Sequence, residues 1–187
     1  MTLPATTIAL RVLLLPGWLD SGPDHWQSRW QVRHGFERVL QSDWVWPRRG
    51  DWMAQLEQTL LADPRPAVLA AHSLGCHLVA AWAAHTRHVH LVHAALLVAP
   101  PDLQRDDMPP QIATWRPAPR TPLPFPALVA HSDNDPFASV FATQQLAADW
   151  AVPTWSCPGR GHLNAESALG DWPEGIAQLR QLAGMRP

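Results

Sequence analysis

Three residues stand in an order that could carry out acyl transfer: Ser73, then Asp135, then His162. A serine hydroxyl is a weak nucleophile, so it needs a base to take its proton and a carboxylate to orient that base. Ser73 lies in Ala71-His72-Ser73-Leu74-Gly75, between a short apolar run and a helical pattern. A serine on a sharp strand-to-helix turn presents its hydroxyl beyond the sheet when small residues two positions either side let strand and helix approach. Gly75 meets that need, and Ala71 stands where glycine is usual. Serine is also a favoured helix cap, so the motif alone has a bland reading. The loop Ser132-Asp133-Asn134-Asp135-Pro136 offers two carboxylates. Asp135 is preferred because Pro136 fixes the backbone directly after it, and Asp133 is the fallback that could equally cap the turn. His162 ends the polar run Gly159-Arg160-Gly161-His162. Each group alone is an ordinary turn residue, but their coincidence at three strand ends in the required order favours catalysis.

The developing oxyanion needs N–H donors. Leu74, directly after the serine, would supply one, and Trp18 in Pro16-Gly17-Trp18-Leu19 the other. Trp18 could also wall an acyl pocket or simply pack on the helix below. His25, at a helix start beside that loop, is expected either in the site or in a structural contact. Trp115 and Trp172, on loops, are candidates for lining an apolar acyl site, whereas the helical tryptophans read as core. His85, His88, His90 and His93 crowd one turn, a density that invites a metal reading. No Cys or carboxylate lies among them, and a helix-to-strand turn falls at the opposite sheet edge from Ser73, so a solvated helix end is favoured and no metal site is expected. Cys76, on the buried side of its helix, is expected to pack as a small hydrophobe.

Short apolar runs alternate with helical patterns and must position these groups. The strand candidates are Arg11–Leu15, the weaker Glu37–Gln41, Ala67–Ala71, Ala94–Ala99, Ala127–Ala130 and Val152–Ser156. Helices are expected from an Asp24 cap to about His34, from an Asp51 cap to Ala62, and over about Cys76–Thr86, Val140–Trp150 and Pro173–Leu182. Six strands alternating with helices predict a parallel α/β sheet with helices on both faces, in one domain over residues 1–187. Ligands in such sheets bind beyond the strands' carboxyl ends, where the polar loops lie. Pro100–Pro126 holds nine of the twenty prolines and is read as a surface excursion, either a rim or lid of the site or a stiff connector.

The composition agrees with a domain of this kind. The 187 residues are 47% hydrophobic and 16% charged, with net charge −2, and a chain of this length buries roughly 70% of its unfolded surface. All fourteen basic residues are Arg, so lysine Schiff-base chemistry is excluded, and their balance against sixteen acidic ones disfavours nucleic acid as a partner. Two cysteines, Cys76 and Cys157, do not make a disulfide framework. No apolar run reaches the roughly 18 residues of a membrane span. Met1–Leu15 reads poorly as a signal peptide, so a cytoplasmic address is expected.

Pro16-Gly17-Trp18 with Ser21 and His25-Trp26, then His72-Ser73-Leu74-Gly75-Cys76, Ser132–Pro136, Gly161-His162-Leu163-Asn164 and Leu169-Gly-Asp-Trp-Pro-Glu174, together resemble the small bacterial serine hydrolases related to YdeN and retinoblastoma-binding protein 9. The resemblance spans nearly the whole chain. It implies a compact α/β-hydrolase fold and a triad of Ser73, Asp135 and His162. Ala71 departs from the elbow glycine, and Pro16 stands where many α/β-hydrolases have histidine, yet neither removes a catalytic side chain. The expected activity is cleavage of a small ester, thioester or amide, an ester above all, with no cofactor and a small acyl compound as substrate. The competing expectation is a catalytically weak protein-interaction module.

Overall fold

The computed structural model describes residues 10–185; the amino-terminal residues 1–9, on which the signal-peptide reading partly rests, lie outside them. The strands β1 (Arg11–Leu15), β2 (Glu37–Arg38), β3 (Ala67–His72), β4 (Val92–Val98), β5 (Ala127–His131) and β6 (Thr154–Ser156) form one parallel sheet in the order β2-β1-β3-β4-β5-β6. The central strands are apolar apart from Arg11, His93 and the histidines that end β3 and β5, because both faces are covered, and the two-residue period survives within them. Leu13, Leu69 and Leu97 face the helices α2 (Arg49–Leu61), α3 (Leu74–His85) and α4 (Val140–Asp149). Leu14, Ala70 and Leu96 face α1 (Trp26–His34) and α5 (Pro173–Leu182).

Arg11 is buried within β1 because its guanidinium has work there: it donates to the carbonyls of Thr59 and Leu60 in the last turn of α2 and of Asp63 and Arg65 just beyond it. A cation at a helix C-terminus satisfies carbonyls that have no intrahelical partner.

Several element ends differ from expectation. Asp24 does not cap α1; His25 does, its Nδ1 accepting from the Gln27 N–H at 3.1 Å. Asp51 lies inside the first turn of α2, whose cap position is Arg48. There its charge complements the positive helix end without a capping bond. β2 is two residues long, and β6 starts at Thr154 rather than Val152. The proline-rich excursion contains a short 3-10 helix, Pro110–Trp115. Its Ile112, Trp115, Ala118 and Phe125 are buried in the core. The stretch is therefore anchored as a connector while some of its residues, the buried Ile112 among them, reach the site.

Candidate active site

The strand order reverses beside β1, since the chain leaves β1 for β2 and returns to β3 on its other side. Such a switch point opens a crevice at the carboxyl ends of the strands. Ser73 sits there at φ 53°, ψ −122°, with its N–H donating to Val98 O at 2.9 Å. That region disfavours any side chain, at a cost of order 1–3 kcal/mol. The serine makes no side-chain cap to α3, so the helix-cap reading fails and the hydroxyl is left for other partners.

Two glycines make this crowding possible. A Cβ on Gly75 would stand 2.3 Å from Leu15 O, so only glycine lets α3 start against the end of β1. A Cβ on Gly17 would stand 2.7 Å from the Ser73 Cβ and 3.2 Å from Leu74 N. The loop after β1 thus lies directly on the elbow. Neither the Trp18 nor the Leu74 backbone N–H has an acceptor among the described residues. Leu19 and Asp20 follow in left-handed conformations. The loop is held by Arg38, which bonds Asp20 at 2.6 Å and Ser21 O at 3.0 Å. Buried Gln27 completes the bracing, accepting from the Ser21 hydroxyl and donating to Leu15 O and Ala70 O.

His162 Nε2 lies 2.9 Å from Ser73 Oγ, and its Nδ1 lies 2.9 Å and 3.0 Å from the two oxygens of Asp135. A carboxylate only accepts, so Nδ1 carries the proton and Nε2 faces the serine as an acceptor. The Asp135 side chain is 3% exposed, which keeps water off this pair. Asp133 does something else: its Oδ1 accepts from Gly159 N at 2.7 Å. Ser132 and Asn134 likewise accept from Arg160 N and Gly161 N, so three side chains of the loop after β5 hold the loop that carries His162.

A cavity of about 480 Å³ opens onto Ser73 and His162. Trp18, Leu74, Met108, Ile112 and Phe137 give it apolar walls, and His25 lines it too. A hollow of about 590 Å³ between α1 and α5 touches none of the candidate residues. Burial, aided by Arg38 and His162, lowers the His25 pKa to about 3. Burial also pushes His72 well below the ordinary histidine range, with His25 and His162 adding to the effect.

Two expected wall residues are elsewhere. Trp115 is fully buried, its indole donating to Pro47 O at 2.9 Å and packed edge-on against Trp52. Trp172 sits among Trp26, Trp30 and Trp155, in a space that glycine at 175 leaves open. A position outside regular structure need not be an exposed one, and both indoles fold inward. The Trp18 indole is also engaged, donating to Val45 O at 2.9 Å. The walls missed in sequence are Met108, Ile112 and Phe137. An apolar pair four residues apart within the proline stretch was the available signal for the first two.

Cys76 is buried with its thiol on Ala71 O and Val98 O, and burial raises its pKa far above the thiol range. At the far edge of the sheet His85 bonds Ala81 O and His93 bonds Ala183 O. His88 meets a carboxylate that sequence did not place there, Glu57 of α2, at 2.5 Å. Among the described residues no group of three His, Cys, Asp or Glu is arranged to hold a metal.

The profile of a family described as serine hydrolase matches residues 12–181. The chain belongs to the serine hydrolase family. No curated relative matches the chain at a significant level. A Pectobacterium atrosepticum protein described as a YdeN-like hydrolase superposes on this family member with TM-score 0.83 and 27% identity, covering 94% of this chain and 91% of its own. The ydeN gene product of Bacillus subtilis gives TM-score 0.72 at 17% identity, over 94% and 100% of the two chains. Carboxylesterase CesB of B. subtilis gives TM-score 0.62 at 14% identity, over 96% and 86%. The YdeN-like resemblance and the α/β-hydrolase fold expected from sequence are both borne out. No helix among the described residues of this serine hydrolase is long and apolar enough to cross a membrane.

Proposed function

We propose that this serine hydrolase cleaves a small carboxylic ester through an acyl-enzyme on Ser73. The observation that carries the reading is the unbroken chain from Ser73 Oγ to His162 Nε2 and from His162 Nδ1 to Asp135, each link at 2.9 Å, on a strained elbow that leaves the hydroxyl free of capping. Ser73 Oγ attacks the ester carbonyl as its proton passes to His162 Nε2. Asp135 stabilises the resulting imidazolium, and the Trp18 and Leu74 N–H groups receive the oxyanion. His162 then gives its proton to the departing alcohol. Water, deprotonated by the same nitrogen, attacks the acyl group and releases the carboxylic acid with Ser73 restored.

The apolar walls of the cavity suit an acyl chain, and an ester asks less of leaving-group protonation than an amide does. A fluorophosphonate probe should label the wild-type protein and leave Ser73→Ala unlabelled. A panel of nitrophenyl esters of rising chain length beside aminoacyl amides should give turnover on the esters. Absence of labelling of the folded wild type, or equal labelling of the alanine variant, would count against the enzyme and for an interaction module.

A further inference from the structure

We propose that His72 is a positioning residue for the base, holding His162 in register with Ser73 through the backbone carbonyl of His162 itself. This rests on the reading of Ser73, His162 and Asp135 given above. His72 Nε2 lies 2.9 Å from His162 O, in a buried contact between residues 90 apart in the chain. A carbonyl only accepts, so His72 carries its proton on Nε2 and donates it there. His72 is also the last residue of β3, paired with Val98, and its backbone runs straight into Ser73. Nucleophile and base are therefore joined twice: once through the reacting atoms, and once through a bond that takes no part in proton transfer.

The surroundings make this second link stiff. The His162 ring packs against the ring of Phe137, centroid 4.6 Å away, and that of His72, 5.0 Å away, both edge-on. His25 backs His72 at 4.6 Å. Because His25 Nδ1 accepts from Gln27, its own proton is on Nε2, which is buried without a partner. The next carbonyl along, Leu163 O, is taken by the Trp26 indole at 2.9 Å, and Leu163 adopts a left-handed backbone. Two ring N–H donors thus fix two successive carbonyls at the point where the loop carrying the base turns.

An imidazole suits this place for an electrostatic reason. His162 must become a cation as Ser73 attacks, and a lysine or arginine donor alongside would oppose that charge. The charged and titratable groups that face His72 are His25, His162 and, beyond His25, Arg38. A neutral imidazole gives a hydrogen bond there with no net charge, on a side chain with only two rotatable bonds.

The test compares His72→Leu, which removes the donor, with His72→Gln, whose amide nitrogen reaches the position of Nε2. Relative to wild type on a nitrophenyl ester, His72→Leu should lower kcat on the order of 100-fold, as expected for a reacting group misplaced by about 1 Å, with KM changed less than about twofold. His72→Gln should recover about tenfold of that loss, with both variants showing a cooperative thermal transition. A folded His72→Leu at wild-type kcat, or a folded His72→Gln as slow as His72→Leu, would overturn the positioning role. Nitrogen-15 NMR of the wild-type imidazoles checks the bond without any variant: His72 should be the Nε2–H tautomer, and an Nδ1–H tautomer overturns the proposal. Failure of the wild type to react with a fluorophosphonate would instead sink the reading of Ser73, independently of the tautomer result.

Discussion

Histidines gather at both ends of the sheet, in opposite surroundings. At the carboxyl end His25, His72 and His162 are each less than one-tenth exposed, pack edge to face and come from three different connections. At the amino end His85, His90 and His93 are exposed and only His88 is half covered. The numbers of imidazoles are similar, but the convergence is not. Loops following β1, β3, β5 and β6 meet at the carboxyl end and bury one another. The amino-end histidines belong to a single stretch, from the last residue of α3 through the turn to the second residue of β4, where Glu57 of α2 and the carbonyls of Ala81 and Ala183 are the partners within reach. The density of a residue type along the sequence is therefore a weaker guide to chemistry than the number of separate strand ends that deliver it.

The largest expected effects test whether the carboxyl-end cluster is the one that reacts. Ser73→Ala and His162→Ala should each lower kcat more than about 10,000-fold on a nitrophenyl ester, because members of such a unit fail together. Retention of a tenth of the activity in either variant would break the contrast between the two ends. Asp135→Asn should follow at about 1,000-fold to 10,000-fold, since an amide can hold the wrong imidazole tautomer. Asp133→Asn should stay within about fivefold of wild type, because its carbonyl oxygen can still accept from Gly159 N. The reverse order for the two loop acids would move the orienting carboxylate to Asp133.

A smaller effect concerns acid stability. His25 and His77 are held neutral in the fold mainly by burial, with pKa values lowered from 6.5 to about 3 and about 4. Above pH 6.5 neither state binds these protons, so the groups are neutral in their effect. As pH falls below 6.5 the unfolded chain takes them up and the folded chain does not, so stability falls with pH until about 4 for His77 and about 3 for His25. Each such proton contributes up to about 1.4 kcal/mol per pH unit. His77→Gln should flatten the loss between pH 6 and 5 by about one proton, measured as urea midpoints across that range. An unchanged slope would mean that His77 is charged in the folded protein.

Strand positions were legible because Val12–Leu15, Ala67–Ala71 and Ala127–Ala130 are uninterrupted apolar runs, and burial on both faces leaves little else for them to be. Ser73 and Asp135 were legible because each follows such a run, whereas His162 follows the short mixed stretch Val152–Ser156 and was found from its polar Gly-Arg-Gly-His loop. Helix starts were less so: Asp24 and Asp51 are the residue types that cap, but the chain turns one residue later in one case and three earlier in the other. Trp115 and Trp172 were misplaced for a related reason, since a position outside regular structure says nothing about which way an indole folds. The bonds of His72 to His162 O and of Gln27 to Leu15 O and Ala70 O join distant stretches, and no local pattern encodes them.

The smallest expected effect lies at the amino end and probes the contrast from its other side. Glu57 accepts from the Trp82 indole and the Thr86 hydroxyl as well as meeting His88, and these hydrogen bonds outweigh the burial that would otherwise raise its pKa, leaving it lowered. His88→Ala removes one of several partners from a carboxylate that is still about a quarter exposed, 27% by side-chain surface. Partly exposed pairs of this kind contribute about 0 to 1 kcal/mol, so the urea midpoint at pH 7 should fall only slightly. Ester turnover should remain within about twofold of wild type, because the turn lies a full strand length, roughly 20 Å, from Ser73. A tenfold loss of turnover in a variant of unchanged stability would show that the two ends of the sheet are coupled, and that the amino-end histidines have a share in the chemistry.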